Sequence, residues 1–431
     1  MSLKKICLVL YVFIAPSLTL AKDSDPDTGK TIQYCALERL TMKPLEDRPV
    51  YSVKDFGAKG DGVTNDTQAL QKALDDTPSG AVLEFSIGTY LFDHNLTLSK
   101  DGTILMGKGG ILKADNLHNQ TLEITGYKSA VINMIFEGTG KNRSSQPQTT
   151  KIWVKGRWNQ ILNNTIDGGA SAGIFVFGAK DFRIAGNKVQ NTLADGIHMT
   201  FGSRRGLVEG NHVHHTKDDA IAVVSYGTEK NMAGEIIIRN NTVSDVSWGR
   251  GITVVGGKNV LIENNNISDV ELAAGILIAQ EKSFNTYGVE NVIIRNNIVK
   301  NIQMEEDITK RRTQHGAIDV NSSGQRPVGN IVVEENIIGP AYYAGVRILG
   351  DICDVAISRN EMSHIRDRHP IFVLKAPCAP QRIQCTENFL DNQPMDVSDD
   401  YCLSYAEVGK SQIAVQYDFK ALDQNGWDGC K

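Results

Sequence analysis

Three pieces of the chain share one template: IAGNKV (184–189) with ADGIHM (194–199), VEGNHV (208–213) with DDAIAV (218–223), and IRNNTV (238–243) with GRGITV (249–254). Each brings an apolar residue, an Asn and a second apolar residue. A short turn follows, then a charged residue, a small residue and Ile. The charged residue is Asp195 in the first piece, Asp219 in the second and Arg250 in the third. If one template is one coil of a solenoid, these three side chains stack on neighbouring coils.

The template Asn recurs at Asn164, Asn187, Asn211, Asn241, Asn265, Asn297, Asn336, Asn360 and Asn388. Most gaps are about 23 to 30 residues, a period that marks stacked coils. Within each unit, Val/Ile-rich runs of four or five residues are broken by Gly or Asn, which is strand-and-turn chemistry. One such unit cannot bury its apolar side, whereas a stack shares a continuous core. Asn suits the corner for two reasons: it tolerates left-handed backbone angles, and its amide can bond the Asn of the next coil in a ladder.

The 431 residues hold 41% hydrophobic and 22% charged residues, with 40 Gly against 12 Pro, as a folded protein with many tight turns requires. A net charge of −5 offers no basic field, so neither nucleic acid nor an anionic membrane surface is expected as a partner. Met1 to Ala21 reads as a secretory signal peptide: Lys4 and Lys5, an apolar run from Cys7 to Leu20, then a small-residue cleavage site. The expected location is therefore secreted or periplasmic. Six cysteines follow the signal: Cys35, Cys353, Cys378, Cys385, Cys402 and Cys430. An even number in an exported chain points to disulfides, five of the six being placed after residue 350. Their spacings match no zinc pattern.

The stretch DFGAKGDGVTNDTQALQKALDD (55–76) opens with two Gly-containing turns and continues as a short helix from about Thr67 to Leu74. Asn65 or Asp66 caps it, and Ala69, Leu70, Ala73 and Leu74 form its apolar face. Such a helix closes the open end of a solenoid. AVLEFSIGTYLF (81–92) reads as strand, turn, strand.

VKDFGAKGDGVTNDTQALQKAL (53–74) resembles the opening of the pectate-lyase-like, right-handed parallel β-helix superfamily. That group holds polygalacturonases, rhamnogalacturonases, epimerases, polyuronate lyases and tailspike depolymerases. The expected fold is thus all-β, a single-stranded right-handed parallel β-helix with a short N-terminal capping helix. A signal peptide (1–21), an extension (22–50), the β-helix (51–395) and a disulfide-linked tail (396–431) divide the chain. The loops at 141–150, 228–234, 280–288 and 304–316 are expected to wall one face and shape a groove. Trp153 and Trp158 either stack on a sugar or wedge between coils.

Parallel strands lie about 4.8 Å apart, which brings the Asp195 and Asp219 carboxylates within about 5–6 Å. Like charges that close raise one pKa, leaving one group as acid and the other as base. Asp218 adds a third carboxylate, His198 stands three residues past Asp195, and Arg250 supplies a cation. Trp248 and Tyr226 are candidate groove walls. Leu193–Ile197, Lys217–Ala220 and Gly249–Gly251 resemble, in order and spacing, the Asn-Thr-Asp-Gly-Ile, Gly-Asp-Asp-Cys and Gly-His-Gly motifs of polygalacturonases. The resemblance implies that Asp195, Asp218 and Asp219 share acid and water-activating roles, with inversion at the anomeric carbon; a carboxylate spacing of about 5–5.5 Å points instead to retention. Leu-Ala replaces Asn-Thr, Ala replaces Cys, and Arg250 replaces the His. The following Arg-Ile-Lys motif is replaced by AAGILIAQE (273–281), ending in Gln280 and Glu281, both candidate substrate contacts.

Three functions stay open on the sequence. One is a glycoside hydrolase acting on an extracellular or capsular polysaccharide, with no metal or other cofactor. The second is a polyuronate lyase or epimerase in which the aspartates bind Ca²⁺ or neutralise a uronate, Arg250 or His198 acts as base and Tyr226 donates a proton. The third is a carbohydrate-binding solenoid without catalysis. Sugar, linkage and oligomeric state are not readable. The cluster His212, His214 and His215 reads as solvent-exposed corner residues.

Overall fold

The computed structural model describes residues 47–138, 140–304, 313–367, 369–374 and 383–395. The signal-peptide segment, the C-terminal tail and Cys35, Cys378, Cys402 and Cys430 lie outside them; Cys353 and Cys385 lie inside.

The chain winds as a parallel β-solenoid of about 12 turns. A typical coil has three short strands, and each strand pairs in parallel with its counterpart one coil on. Gln160–Leu162, Thr165–Asp167 and Ile174–Phe177 make one such coil. Lys180–Ala185, Lys188–Gln190 and Ile197–Thr200 make the next. The third strands build an 11-stranded ladder among the described residues. Its inward column runs Ile152, Ile174, Ile197, Ile221, Ile252, Ile276, Ile318 and Val346 in register. All are fully buried, each such side chain contributing about 1.5–3 kcal/mol of transfer free energy. The outward column, one residue on, runs Trp153, Phe175, His198, Ala222, Thr253, Leu277, Asp319 and Arg347. Strand alternation alone thus turns His198 away from the core.

All nine template Asn residues line one corner, and each is buried. Asn211 shows the pattern. Its backbone N–H and its Nδ2 both donate to Asn241 Oδ1 at 2.9 Å, and Nδ2 also donates to Ile184 O. The same bonds link Asn164 to Asn187, and so on down to Asn360 and Asn388. The ladder matches the expectation, but the left-handed angle falls elsewhere. The residue before each Asn takes it: Asn163, Gly186, Gly210, Asn240, Asn264, Asn296, Glu335, Arg359 and Glu387. The template Asn is selected for its amide, not for its backbone.

The helix α1 spans Thr67–Asp76 and buries Leu70, Ala73 and Leu74 at the N-terminal end of the stack. Asp66 is its N-cap but turns its carboxylate to the Lys59 and Gly60 amides, while Asn65 Oδ1 accepts from Thr67 N. Val82–Phe92 is one strand, not two: in place of the expected turn there is a bulge, where the register against Ile104–Ala114 shifts at Ser86.

Lys151 occupies the position filled by Gly173 and Gly196 on the next coils. It is fully buried, and its Nζ meets Glu137 O at 3.4 Å. Gly138 leaves it room, since a Cβ there would sit 2.4 Å from Lys151 Cε. Burial lowers its pKa from 10.5 to about 7. Between those two values the unfolded chain binds the extra proton, so stability rises with pH across that window; below about pH 7 both states are charged and the burial penalty is fully present. Lys151→Met should abolish that rise in urea-unfolding midpoints measured from pH 7 to 10.

Candidate active site

Backbone bonds fix the register of the charged column. Gly173 N donates to Asp195 O, Gly196 N to Asp219 O, and Ala220 N to Arg250 O, at 3.1, 2.9 and 2.9 Å. Asp195, Asp219 and Arg250 therefore stand one above another, each at the mouth of a third strand. Gly249 makes the approach possible: a Cβ there would lie 2.3 Å from Asp219 N and Asp218 C.

Carboxylate oxygens of Asp195, Asp218 and Asp219 all lie within 4.8 Å of one another. They line a cavity of about 350 Å³ with His198, Tyr226, Arg250 and Glu281, all expected from the sequence. His198 Nδ1 is hydrogen-bonded to Asp195 Oδ2, and its ring lies 5.2 Å from that of Phe175. Arg250 donates its backbone N–H to Asp219 Oδ1 at 2.8 Å. Its guanidinium pairs with Asp219 at 3.1 Å and Glu281 at 3.3 Å.

Burial and the Asp195 charge push the Asp218 carboxyl above its ordinary value, against the pull of Arg143. Burial is also the largest influence on Asp219 and lifts it well above the ordinary range; Arg250 opposes, and Asp218 and Asp195 add to the rise. The Asp218–Asp219 pair is thus built to retain a proton. For Arg250, burial works against the charge, but Asp219 and Glu281 outweigh it and raise its pKa. Burial and the carboxylates push the Tyr226 phenol up to about 12, which keeps it a donor.

Two expected residues lie outside this cavity. Gln280 is fully buried; its Oε1 accepts from Gln325 N at 3.3 Å. It ends the strand Ile276–Gln280, where alternation points it into the core. Trp248 is 64% exposed and lines an adjoining depression with Lys141, Arg143 and Lys217. Among the described residues it makes no ring contact with Arg250. Trp158 is buried against Tyr127. Trp153 packs beside Phe175 and Phe177 with Lys155 Nζ 3.7 Å from its ring.

Two charged residues in the cavity were not expected. Arg143, from the 141–150 loop, forms an ion pair with Asp218. Glu229, from the 228–234 loop, accepts from Thr200 Oγ1 at 2.9 Å and Phe201 N at 3.1 Å, and burial raises its pKa. Both loops were expected to wall a groove, but neither residue stands in the repeating template. Phe175 and Phe177 also line the cavity, and Phe201 stacks on Phe177 at 4.1 Å. The three aspartates are a donor set that suits a hard cation, yet Arg143 and Arg250 already neutralise two of them. A larger cleft of about 570 Å³ beside Tyr287 and Arg326 contains none of these groups.

Comparison with known proteins places the fold and the family. A right-handed β-helix model matches residues 225–362. The catalytic unit of a GH87 α-1,3-glucanase from Streptomyces thermodiastaticus is 18% identical, with a TM-score of 0.59 over 81% of this chain and 70% of that one. An exopolygalacturonase from Thermotoga maritima is 14% identical, with a TM-score of 0.61 over 83% and 97%. At these identities the likeness shows the shared fold. A capsule-specific depolymerase of Klebsiella phage KN3-1 is 47% identical over 73 residues, which are 16% of this chain. The chain spans only 8% and 11% of the lengths of the two curated relatives it matches. A model described as rhamnogalacturonase A/epimerase, pectate lyase-like, matches residues 50–277, and with more than half of the chain covered the protein belongs to that family.

Proposed function

We propose that this protein is a secreted glycoside hydrolase that cleaves an extracellular or capsular polysaccharide. The observation that carries the reading is the convergence of Asp195, Asp218 and Asp219 within 4.8 Å in an open cavity. Asp218 is the proton donor. Its side chain is the most exposed of the three, and its proton is held by burial and by Asp195. Asp195, oriented by His198, is the base. Asp219 is braced by Arg250, and the negative charge that raises Asp218 comes from Asp195. The glycosidic oxygen takes the proton from Asp218, the bond from that oxygen to the anomeric carbon breaks, and water adds to the carbon while Asp195 accepts its proton. This inverting course follows the polygalacturonase-like motif order, whereas the carboxylate spacing is that of a retaining pair. Trp248, Tyr226 and Glu281 lie where a glycan chain entering the cavity would touch them.

The capsular substrate class is supported by the segment shared with the phage depolymerase. The test is incubation of the full chain with a panel of capsular and plant polysaccharides. New reducing ends are expected, with no ultraviolet signal of an unsaturated uronate and no loss on adding EDTA. A rising ultraviolet signal that a chelator abolishes would replace hydrolysis with elimination.

A further inference from the structure

On a neighbouring face of the solenoid, three side chains from two coils converge without a role in the cavity. His212–His214 and Thr242–Ser244 are paired strands, with His214 opposite Ser244. That register sets His215 opposite Asp245, and both take left-handed angles, φ 53° and 55°. Ligand atoms of His214, His215 and Asp245 all lie within 4.8 Å of one another. The two Nδ1 atoms face each other at 2.6 Å. Ser244 Oγ holds Asp245 Oδ2 at 2.6 Å.

The same column shows what normally fills this corner. Asn301 Nδ2 donates to Asp269 in register at 3.1 Å, and Asn191 Nδ2 donates to Asp167, which stands one position earlier in its coil, at 2.7 Å. These are amide-to-carboxylate steps between coils. At the step from His215 to Asp245 the order is reversed, with an imidazole on the earlier coil and the carboxylate on the later one, and a second imidazole, His214, is turned to the same point. The His214 Nε2 is buried without a hydrogen-bond partner, which leaves Nδ1 as the atom that faces the opening.

We propose that His214, His215 and Asp245 form a binding site for a borderline divalent cation of the Zn²⁺ class. Two imidazole nitrogens and one carboxylate oxygen are a three-ligand set that leaves a position for water. Zinc bonds of about 2.0–2.2 Å require ligand atoms somewhat over 3 Å apart. Small side-chain rotations supply that, because His215 and Asp245 are exposed. Ser244 is the outer group that orients the carboxylate. The ion would pin the coil carrying Asp218 and Asp219 to the coil carrying Arg250.

Tag-free protein, stripped with a chelator, is titrated with ZnCl2 by calorimetry. One site per chain is expected. His215→Asn and Asp245→Asn keep residues that tolerate the left-handed turn, and each should weaken the site at least about tenfold. Asp218→Asn should leave it unchanged. Co²⁺ should give the visible spectrum of nitrogen and oxygen ligands, lost in His215→Asn. Absence of a site, an affinity in both corner variants equal to the parent's, or loss of the site in Asp218→Asn would each overturn the proposal. None of these outcomes depends on whether the protein cleaves a glycan.

Discussion

Asp218→Asn should lower turnover on the cleaved polysaccharide by about 10²–10⁴-fold, the range for removing a positioned proton donor. The amide has the same shape and can still accept from Arg143, so the solenoid should stand, and a melting curve like that of the parent would show it. The loss should fall on kcat rather than KM, since the transferred proton matters only at the transition state. Asp195→Asn should be comparably damaging, because the water then has no base. A purified Asp218→Asn protein with full turnover would remove the acid/base mechanism.

The largest effect on stability should come from Asn241→Ala. This side chain accepts from Asn211 N and Nδ2 and donates to Val208 O and Asn265 Oδ1. Removing it leaves buried partners unsatisfied on both adjoining coils. At about 1–3 kcal/mol for each stranded group, a total on the order of 4 kcal/mol is expected. Asn266→Ala, at an exposed position on the strand that follows Asn265, should stay within about 0.5 kcal/mol. Urea-unfolding midpoints compare the two, and a negligible shift for Asn241→Ala would mean that the amide ladder does not hold the coils.

The repeat was readable because the ladder allows no substitute. Each amide must donate and accept along one line, so Asn is required at nine positions. The left-handed residue before each was not readable: Gly, Asn, Glu and Arg all serve there, and residues such as Glu335 and Arg359 give no composition signal. Asp195, Asp219 and Arg250 were readable because they share a template position, and backbone register carries that into space. Arg143 and Glu229 come from insertions with no template, so chain position could not place them. Gln280 and Glu281 show a finer limit. Alternation from Ile276 already sent Gln280 inward, and a resemblance read at motif level overlooked it.

Each coil leans on the one before it, and this gives the site an order of construction. Asp195, Asp219, Arg250 and Glu281 lie on successive windings of one continuous stretch, so none waits for a distant segment of chain. As the polypeptide emerges, Asp195 is seated first and presents a ready surface to the winding that brings Asp218 and Asp219. Arg250 arrives last of the charged column, and until then Asp219 stands without its brace, while Asp218 already has Arg143 from earlier in the chain. A chain halted before residue 250 would therefore already display the acids and Arg143 but lack the second arginine, the partner of Asp219.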